Sequence, residues 1–242
     1  MRLDKYLANN GYGSRSEVKK LIAAGRISVD GTTVKDCGYN VDEGSVIGGL
    51  PDISHRVSTK YAYYMMNKPA GVITAASDAV CRTVMDLMGS DRRVGLNPVG
   101  RLDKDTEGLL ILTDDGELNH FLTSPKRNVP KKYYAELDGI PDAEGISRLK
   151  EGIRFKDFVS RPAELEIIAA DIPASASRVF FTVTEGKFHE IKRLAVAIGC
   201  DVKYLKRVMF AGIELDERLK PGEYREMTGE EIKLLQSAVK NK

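Results

Sequence analysis

Apolar residues recur at helical spacing near both ends of the chain and at strand spacing between them. Val18, Leu21 and Ile22 stand at i, i+3 and i+4 behind Ser14-Arg15-Ser16-Glu17, which has the S-x-x-E spacing of a capping box, and Gly25 follows as a stop. Leu3, Tyr6 and Leu7 predict a shorter helix in front of it. Arg26–Val29 and Thr32–Val34 flank Asp30-Gly31, a strong short-range signal for a tight hairpin. Residues 51–58 lack periodicity and read as a linker. Beyond it, strand-like runs cover Tyr61–Met66, Gly108–Thr113, Lys132–Leu137, Leu165–Ile168, Val179–Val183 and Val208–Leu215. Helical patterns cover Glu117–Leu122 and residues 189–198, where Ile191, Leu194, Ala195 and Ile198 share a face, and a last helix is capped at Thr228-Gly229-Glu230-Glu231. This irregular alternation predicts an α+β protein. Residues 1–58 form a small module of two helices, a short sheet and the linker. Residues 59–242 form a domain with a mixed, largely antiparallel sheet flanked by helices.

Composition narrows the function classes. The chain has 242 residues, 42% hydrophobic and 30% charged, ordinary for a folded globular protein. No apolar run approaches the roughly 18 residues of a membrane span, and the charged start Met1-Arg2-Leu3-Asp4-Lys5 predicts no secretory signal peptide. Cys37, Cys81 and Cys200 form no C-x-x-C and cannot all pair, which predicts a reduced, cytoplasmic setting. The net charge of +2 is unevenly placed. Residues 1–60 hold 9 Lys/Arg against 7 Asp/Glu, and residues 1–35 hold 7 against 3. A small basic module ahead of a neutral body suggests nucleic-acid docking through Arg15, Lys19, Lys20 and Arg26, although a solvated helix face shows the same excess.

No phosphate loop, G-x-G-x-x-G or G-x-S-x-G occurs, and His55, His120 and His189 lack metal-ligand spacing, so neither metal nor cofactor is expected. The unusual segment is Gly100-Arg101-Leu102-Asp103-Lys104-Asp105-Thr106-Glu107-Gly108, followed by Leu109-Leu110-Ile111-Leu112-Thr113-Asp114-Asp115-Gly116. Charges crowd one end of an apolar strand, where a buried strand can hold a side chain rigidly in a cleft. A solvated loop with ion pairs is the plainer alternative. Lys126, Arg127, Lys131 and Lys132 form one further basic cluster and Lys203, Lys206 and Arg207 another, suited to RNA phosphates or to ordinary solvation.

The segment from Gly100 to Gly116 resembles, over all seventeen residues, the signature of pseudouridine synthases that modify ribosomal RNA. Asn67-Lys68-Pro69-Ala70-Gly71-Val72, Lys131-Lys132-Tyr133 and Glu185-Gly186-Lys187-Phe188-His189-Glu190-Ile191-Lys192-Arg193 resemble further motifs of that family, and residues 1–31 resemble the S-four RNA-binding domain. The last two of these stretches are closest to the small-subunit (16S) rRNA branch, the pseudouridine synthase A family, whereas large-subunit relatives usually carry Arg-rich versions of His-x-x-Lys-Arg. Phe188 stands where relatives often carry tyrosine.

The resemblance implies detachment, rotation and rejoining of uracil through carbon 5. Asp103 is then the nucleophile or electrostatic partner, Lys192 its charge partner and Arg101 a holder of the flipped nucleotide. Tyr133 stacks on the base and moves a proton, and strand alternation places Tyr134 on the opposite face. Lys68, Lys131 and Arg193 join the front module as RNA contacts. The expected partner is ribosomal RNA or a ribosome-assembly intermediate, with no membrane, and the chain is expected to act as a monomer. Alternatives are a synthase for a large-subunit or transfer-RNA uridine, a non-catalytic assembly factor that needs only the front module, and an aspartate-dependent hydrolase, for which no second carboxylate motif is present.

Overall fold

The computed structural model describes residues 1–9, 12, 15–49, 55–56, 61–89 and 95–240. The described residues among 1–62, 95–97 and 113–115 form one compact unit, and those among 63–89, 98–112 and 116–240 a second.

In the first unit, helices α1 (Leu3–Asn9) and α2 (Arg15–Ala23) precede strands β1 (Ile27–Val29), β2 (Thr32–Val34), β3 (Val46–Gly48) and β4 (His55–Arg56), ordered β2-β1-β3-β4. Leu3, Leu7, Val18, Ile22, Ile27 and Ile47 fill its core at 0–1% exposure. The periodic residues of both helices are therefore the ones that meet the sheet. Asp30 and Gly31 both take positive φ, 50° and 79°, as a type I′ turn requires, and Val29 pairs with Thr32 across it. The expected cap residue Ser14 lies outside the described residues. So does most of the expected linker, but His55 and Arg56 within it pair with Ile47 and Val46. That stretch adds a strand to the sheet, which two residues are too short to announce by periodicity.

The second unit is built on a nine-stranded sheet. Its strands are β5 (Tyr63–Lys68), β6 (Asn97–Pro98), β7 (Glu107–Thr113), β8 (Lys131–Asp138), β9 (Glu164–Asp171), β10 (Ala176–Val183), β11 (Asp201–Phe210), β12 (Ile213–Glu214) and β13 (Tyr224–Glu226). The main path runs β13-β5-β7-β11-β8-β10-β9, with β6 on β7 and β12 on β11. The β7–β11 pair is parallel; β11–β8, β8–β10, β10–β9 and β13–β5 are antiparallel. The mixed, largely antiparallel α+β architecture is therefore observed. Helices α3 (Gly116–Thr123), α4 (Ala143–Glu151), α5 (Glu190–Ala197) and α6 (Gly229–Lys240) complete it. Among the described residues no helix is long and apolar enough to cross a membrane.

One sequence expectation needs correction, and two elements give no signal. The run Val208–Leu215 is the end of one strand, a turn and a return strand: Ala211 and Gly212 take φ of 56° and 81°, and Phe210 pairs with Ile213. The earlier part of β11, Asp201–Arg207, gives no strand signal because Asp, Lys and Arg interrupt its apolar positions. Helix α4 is short and unpatterned apart from Ile146 and Leu149, but Asp142 caps it by accepting from the Gly145 amide at 2.7 Å. At the chain's other end, Thr228 and Glu231 form the expected reciprocal box: the Thr228 amide donates to Glu231 at 2.7 Å and the Glu231 amide to Thr228 Oγ1 at 3.3 Å.

Gly108 decides how closely β7 and β11 approach. Its φ is +101°, and a Cβ there would lie 2.2 Å from the Arg207 carbonyl oxygen. We expect Gly108→Ala to destabilise the fold by about 3 kcal/mol, from left-handed strain and backbone collision together. Gly116→Ala, where an added Cβ meets nothing within 4 Å, should stay within about 0.5 kcal/mol. Urea unfolding midpoints of the two variants check the contrast, and similar midpoints refute it.

Candidate active site

The site lies within the second unit. The loop before β7 is braced before it is functional. Strand β7 is enclosed on both faces, with Leu109, Leu110, Ile111 and Leu112 at 0% exposure. The preceding turns are tied to residues 68–74. The Gly71 amide donates to the Lys104 carbonyl at 2.8 Å, Thr74 Oγ1 to the Leu102 carbonyl at 2.9 Å, and the Leu102 amide to Thr74 Oγ1 at 3.1 Å. Lys68 Nζ donates to the carbonyls of Thr106 at 2.8 Å, Pro69 at 3.0 Å and Lys104 at 3.4 Å. Expected on RNA, Lys68 is instead wholly enclosed, and burial pulls its pKa down to about 8. It is an internal brace, because three carbonyls offer it the acceptors that water otherwise would.

Asp103 projects from this braced loop. Its Oδ2 lies 3.8 Å from His189 Nε2 and 3.9 Å from Lys192 Nζ. Lys192 was expected to pair with Asp103, but its closer partner is Asp105, whose two oxygens accept at 2.7 and 2.6 Å. That hydrogen bond holds the Asp105 carboxyl below its ordinary pKa. Two positions apart in one loop, both carboxylates face the same ammonium. His189 takes φ +52° at the start of α5, and its ring stacks on Phe188 at 3.8 Å and 19°. Phe188 is 72% exposed.

Tyr133 comes from β8 and Arg101 from the turn before Asp103. Both line one cleft of about 350 Å³ together with Asp103, Lys131, Phe188 and Arg207, a size that suits a small ligand such as one nucleoside. Strand alternation works as expected. Tyr133 is buried in the core cluster and reaches the cleft, whereas Tyr134 turns to the other face, donates to Glu136 Oε1 at 2.9 Å, and packs edge-on to Phe180 and Tyr204. Burial pushes the Tyr133 hydroxyl's pKa up, and the adjacent Arg207 guanidinium acts against that rise.

The other basic residues divide. Arg15, Lys19, Lys20 and Arg26 are exposed on the first unit. Lys131 lines the cleft, donates to the Val129 carbonyl at 2.8 Å, and is lowered to about 8 by burial and then by Arg207. Arg193, expected on RNA, is already engaged: Nη1 donates to Asp157 Oδ2 at 3.0 Å, and the guanidinium covers Phe155 and Phe158 at 4.5 and 4.7 Å. Arg207, which in sequence clusters with solvated or phosphate-binding cations, is 1% exposed. Its strand alternation with Leu205 is the signal the sequence offers, obscured by the polar residues around it.

Two acids of the Glu185–Arg193 motif, given no role in the sequence reading, are buried. Glu185 and Glu190 are 5% and 6% exposed, and burial followed by their mutual repulsion raises Glu190 to about 7.

Comparison with known proteins decides what this constellation belongs to. The pattern described as RNA pseudouridylate synthase matches residues 62–197, and that of the S4 domain matches residues 1–47. The chain belongs to the RNA pseudouridylate synthase family. It is 45% identical over 97% of its length to an uncharacterized RNA pseudouridine synthase of Bacillus subtilis (strain 168), of which it covers 98%. It is 35% identical over 98% of its length to the ribosomal large subunit pseudouridine synthase B of that organism, covering 96% of it. It is 36% identical over 96% of its length to the ribosomal small subunit pseudouridine synthase A of Vibrio cholerae serotype O1 (strain ATCC 39315 / El Tor Inaba N16961), covering 98% of it. A crystal structure of a pseudouridylate synthase superposes with a TM-score of 0.67 at 32% identity, covering 97% of this chain and 99% of that one. In this synthase the catalytic-domain match contains Arg101, Asp103, Tyr133 and Lys192.

The raised Glu190 makes stability depend on pH. Its folded pKa of about 7 exceeds the ordinary 4.5, so the folded state holds an extra proton between these values. Stability should fall as pH rises from about 4.5 to 7, by up to about 3 kcal/mol. Glu190→Gln should remove that loss and raise the melting temperature at pH 8 relative to the native chain, but not at pH 4. A native-like pH slope in the variant would refute the assignment.

Proposed function

We propose that this synthase isomerises one uridine of ribosomal RNA to pseudouridine. The observation that carries the reading is Asp103, fixed by a braced loop, facing Lys192 and His189 at a cleft that also contains Tyr133. Asp103 acts as nucleophile or electrostatic partner as uracil leaves and returns. Lys192, held in place by Asp105, offsets its charge. Arg101 holds the flipped nucleotide. Tyr133 stacks on the displaced base, which has lost a few kcal/mol of stacking, and moves a proton through its hydroxyl. Isomerisation consumes no group donor or redox equivalent, so these side chains suffice without a cofactor.

Residues 1–58 supply affinity and placement, and residues 59–242 carry the chemistry. The S4 match over residues 1–47 supports RNA as partner. We assign the substrate to small-subunit RNA, as naked RNA or an assembly intermediate, on the strength of His189-x-x-Lys192-Arg193. A large-subunit uridine is the second reading, favoured by the 35% identity to a large-subunit enzyme. The chain acts in the cytoplasm, in keeping with three free cysteines, and as a monomer.

Pseudouridine mapping of both ribosomal RNAs after incubation with the purified chain tests the reading. One new site in the small-subunit RNA is expected. A site in the large-subunit RNA selects the second reading, and none in either overturns both. Asp103→Asn should bind RNA and leave conversion at background. Tyr133→Phe should keep binding and lose a hundred- to ten-thousand-fold in single-turnover rate, while Tyr134→Phe retains activity. Native turnover by Asp103→Asn, with deamidation excluded, sinks the assignment.

The front module has its own test. Each phosphate neutralised contributes roughly 0.7 to the log–log salt slope on single-stranded RNA. Replacing Arg15, Lys19, Lys20 and Arg26 by Gln should flatten the slope of RNA affinity by about that amount for every phosphate the variant no longer neutralises. An unchanged slope would place the RNA-binding cations elsewhere.

A further inference from the structure

Strand β11 carries a buried cation to which the roles above give no task. Arg207 is 1% exposed; its Nε donates to the Leu109 carbonyl at 2.8 Å, and its guanidinium carbon stands 4.9 Å from the Phe210 ring centre. Its Nη2 has no hydrogen-bond partner among the described residues. An unmet buried donor is costly, and more so on a charged group. Structures that retain one call for a functional account.

The place of Arg207 suggests that account. It lies directly across the β8–β11 ladder from Tyr133 and lines the same cleft as Tyr133 and Asp103. Gly108, by admitting the β11 backbone against β7, brings Arg207 to this depth. Tyr133 needs a neighbour of this kind, since a phenol enclosed among apolar side chains gives up its proton reluctantly. The other groups acting on the Tyr133 hydroxyl are Glu190 from α5 and Asp103 from the loop, and both resist its ionisation. Lys131 on β8 and Lys68 on β5 lie in the field of Arg207 but are not its hydrogen-bond partners.

We propose that Arg207 is a positioning residue that stabilises the anionic form of Tyr133, its free Nη2 donating to the phenolic oxygen when that oxygen has lost its proton. The inference rests on the reading that Tyr133 moves a proton. The resting phenol first releases its proton to solvent through the cleft. The phenolate then takes the proton from the uracil carbon newly joined to ribose: an O–H bond forms, the C–H bond breaks, the electron pair moves through the ring to N1 and restores its conjugation, and N1 takes a proton from solvent.

The test compares Arg207→Gln and Arg207→Lys with the native chain, each with and without Tyr133→Phe, so that the difference in tyrosinate absorbance isolates Tyr133. In Arg207→Gln the titration of Tyr133 should move up by about one pH unit or more, equivalent to tenfold or more in ionisation. The pH at which the single-turnover rate rises should move up with it, while RNA affinity stays native. Arg207→Lys keeps a cation without the planar fork, so a smaller upward shift and partial recovery of rate are expected. It also serves as the comparison should the glutamine variant not fold. An unshifted Tyr133 titration in the folded variants overturns the proposal and leaves Arg207 a purely structural residue. The titration needs no substrate, so it is decided separately from whether the native chain forms pseudouridine.

Discussion

The ammonium of Lys68 is the contact on which the site rests. It is enclosed without a carboxylate in direct contact and donates to three carbonyls, two of them in the loop that presents Asp103. Burial makes its charged form unfavourable, while Asp103, Asp105 and Glu107 favour it from nearby. The arrangement works in both directions. The carbonyls and carboxylates keep a cation inside the protein, and the cation holds the loop backbone at one spacing from β5 and tempers the repulsion between its acids. The loop's charges would otherwise prefer a solvated, spread conformation, and the reach of Asp103 to Lys192 and His189 would be lost.

The sheet supplies the other half of the geometry. The parallel β7–β11 pair stands next to the antiparallel β11–β8 pair. The strand that leads out of the Asp103 loop is thus separated by a single strand from the one that carries Tyr133, with Arg207 between them. Close approach at Gly108 keeps this spacing short. The period of two along β8 does the rest, sending Tyr133 toward α5 and the cleft and Tyr134 into an aromatic row on the opposite face.

Charge has a different use in each unit. In the first, Arg15, Lys19, Lys20 and Arg26 remain at the surface of a small module. In the second, several cations that resemble RNA contacts in one dimension have internal work: Lys68 under the loop, Arg193 on Asp157 and two rings, and Arg207 inside the sheet. Count and clustering of Lys and Arg therefore overstate the RNA-facing charge of the second unit.

Local rules were readable from the chain alone. Asp30-Gly31 specifies its turn because few residues other than glycine, asparagine and aspartate tolerate positive φ. Thr228 and Glu231 satisfy each other's amides within one helical turn. The apolar run behind Asp103 declares a buried strand, and alternation separates Tyr133 from Tyr134. Each of these is settled by atoms a few bonds or a few residues apart. Folding alone decided that Lys192 bonds Asp105 while only approaching Asp103, that His189 joins them, that Lys68 and Arg193 are already occupied, and that Arg207 lies buried opposite Tyr133. These pairings span from 36 to more than eighty residues of chain. A sequence pattern records which face a side chain takes, but the partner on that face is set by strand order and by how closely two backbones can approach.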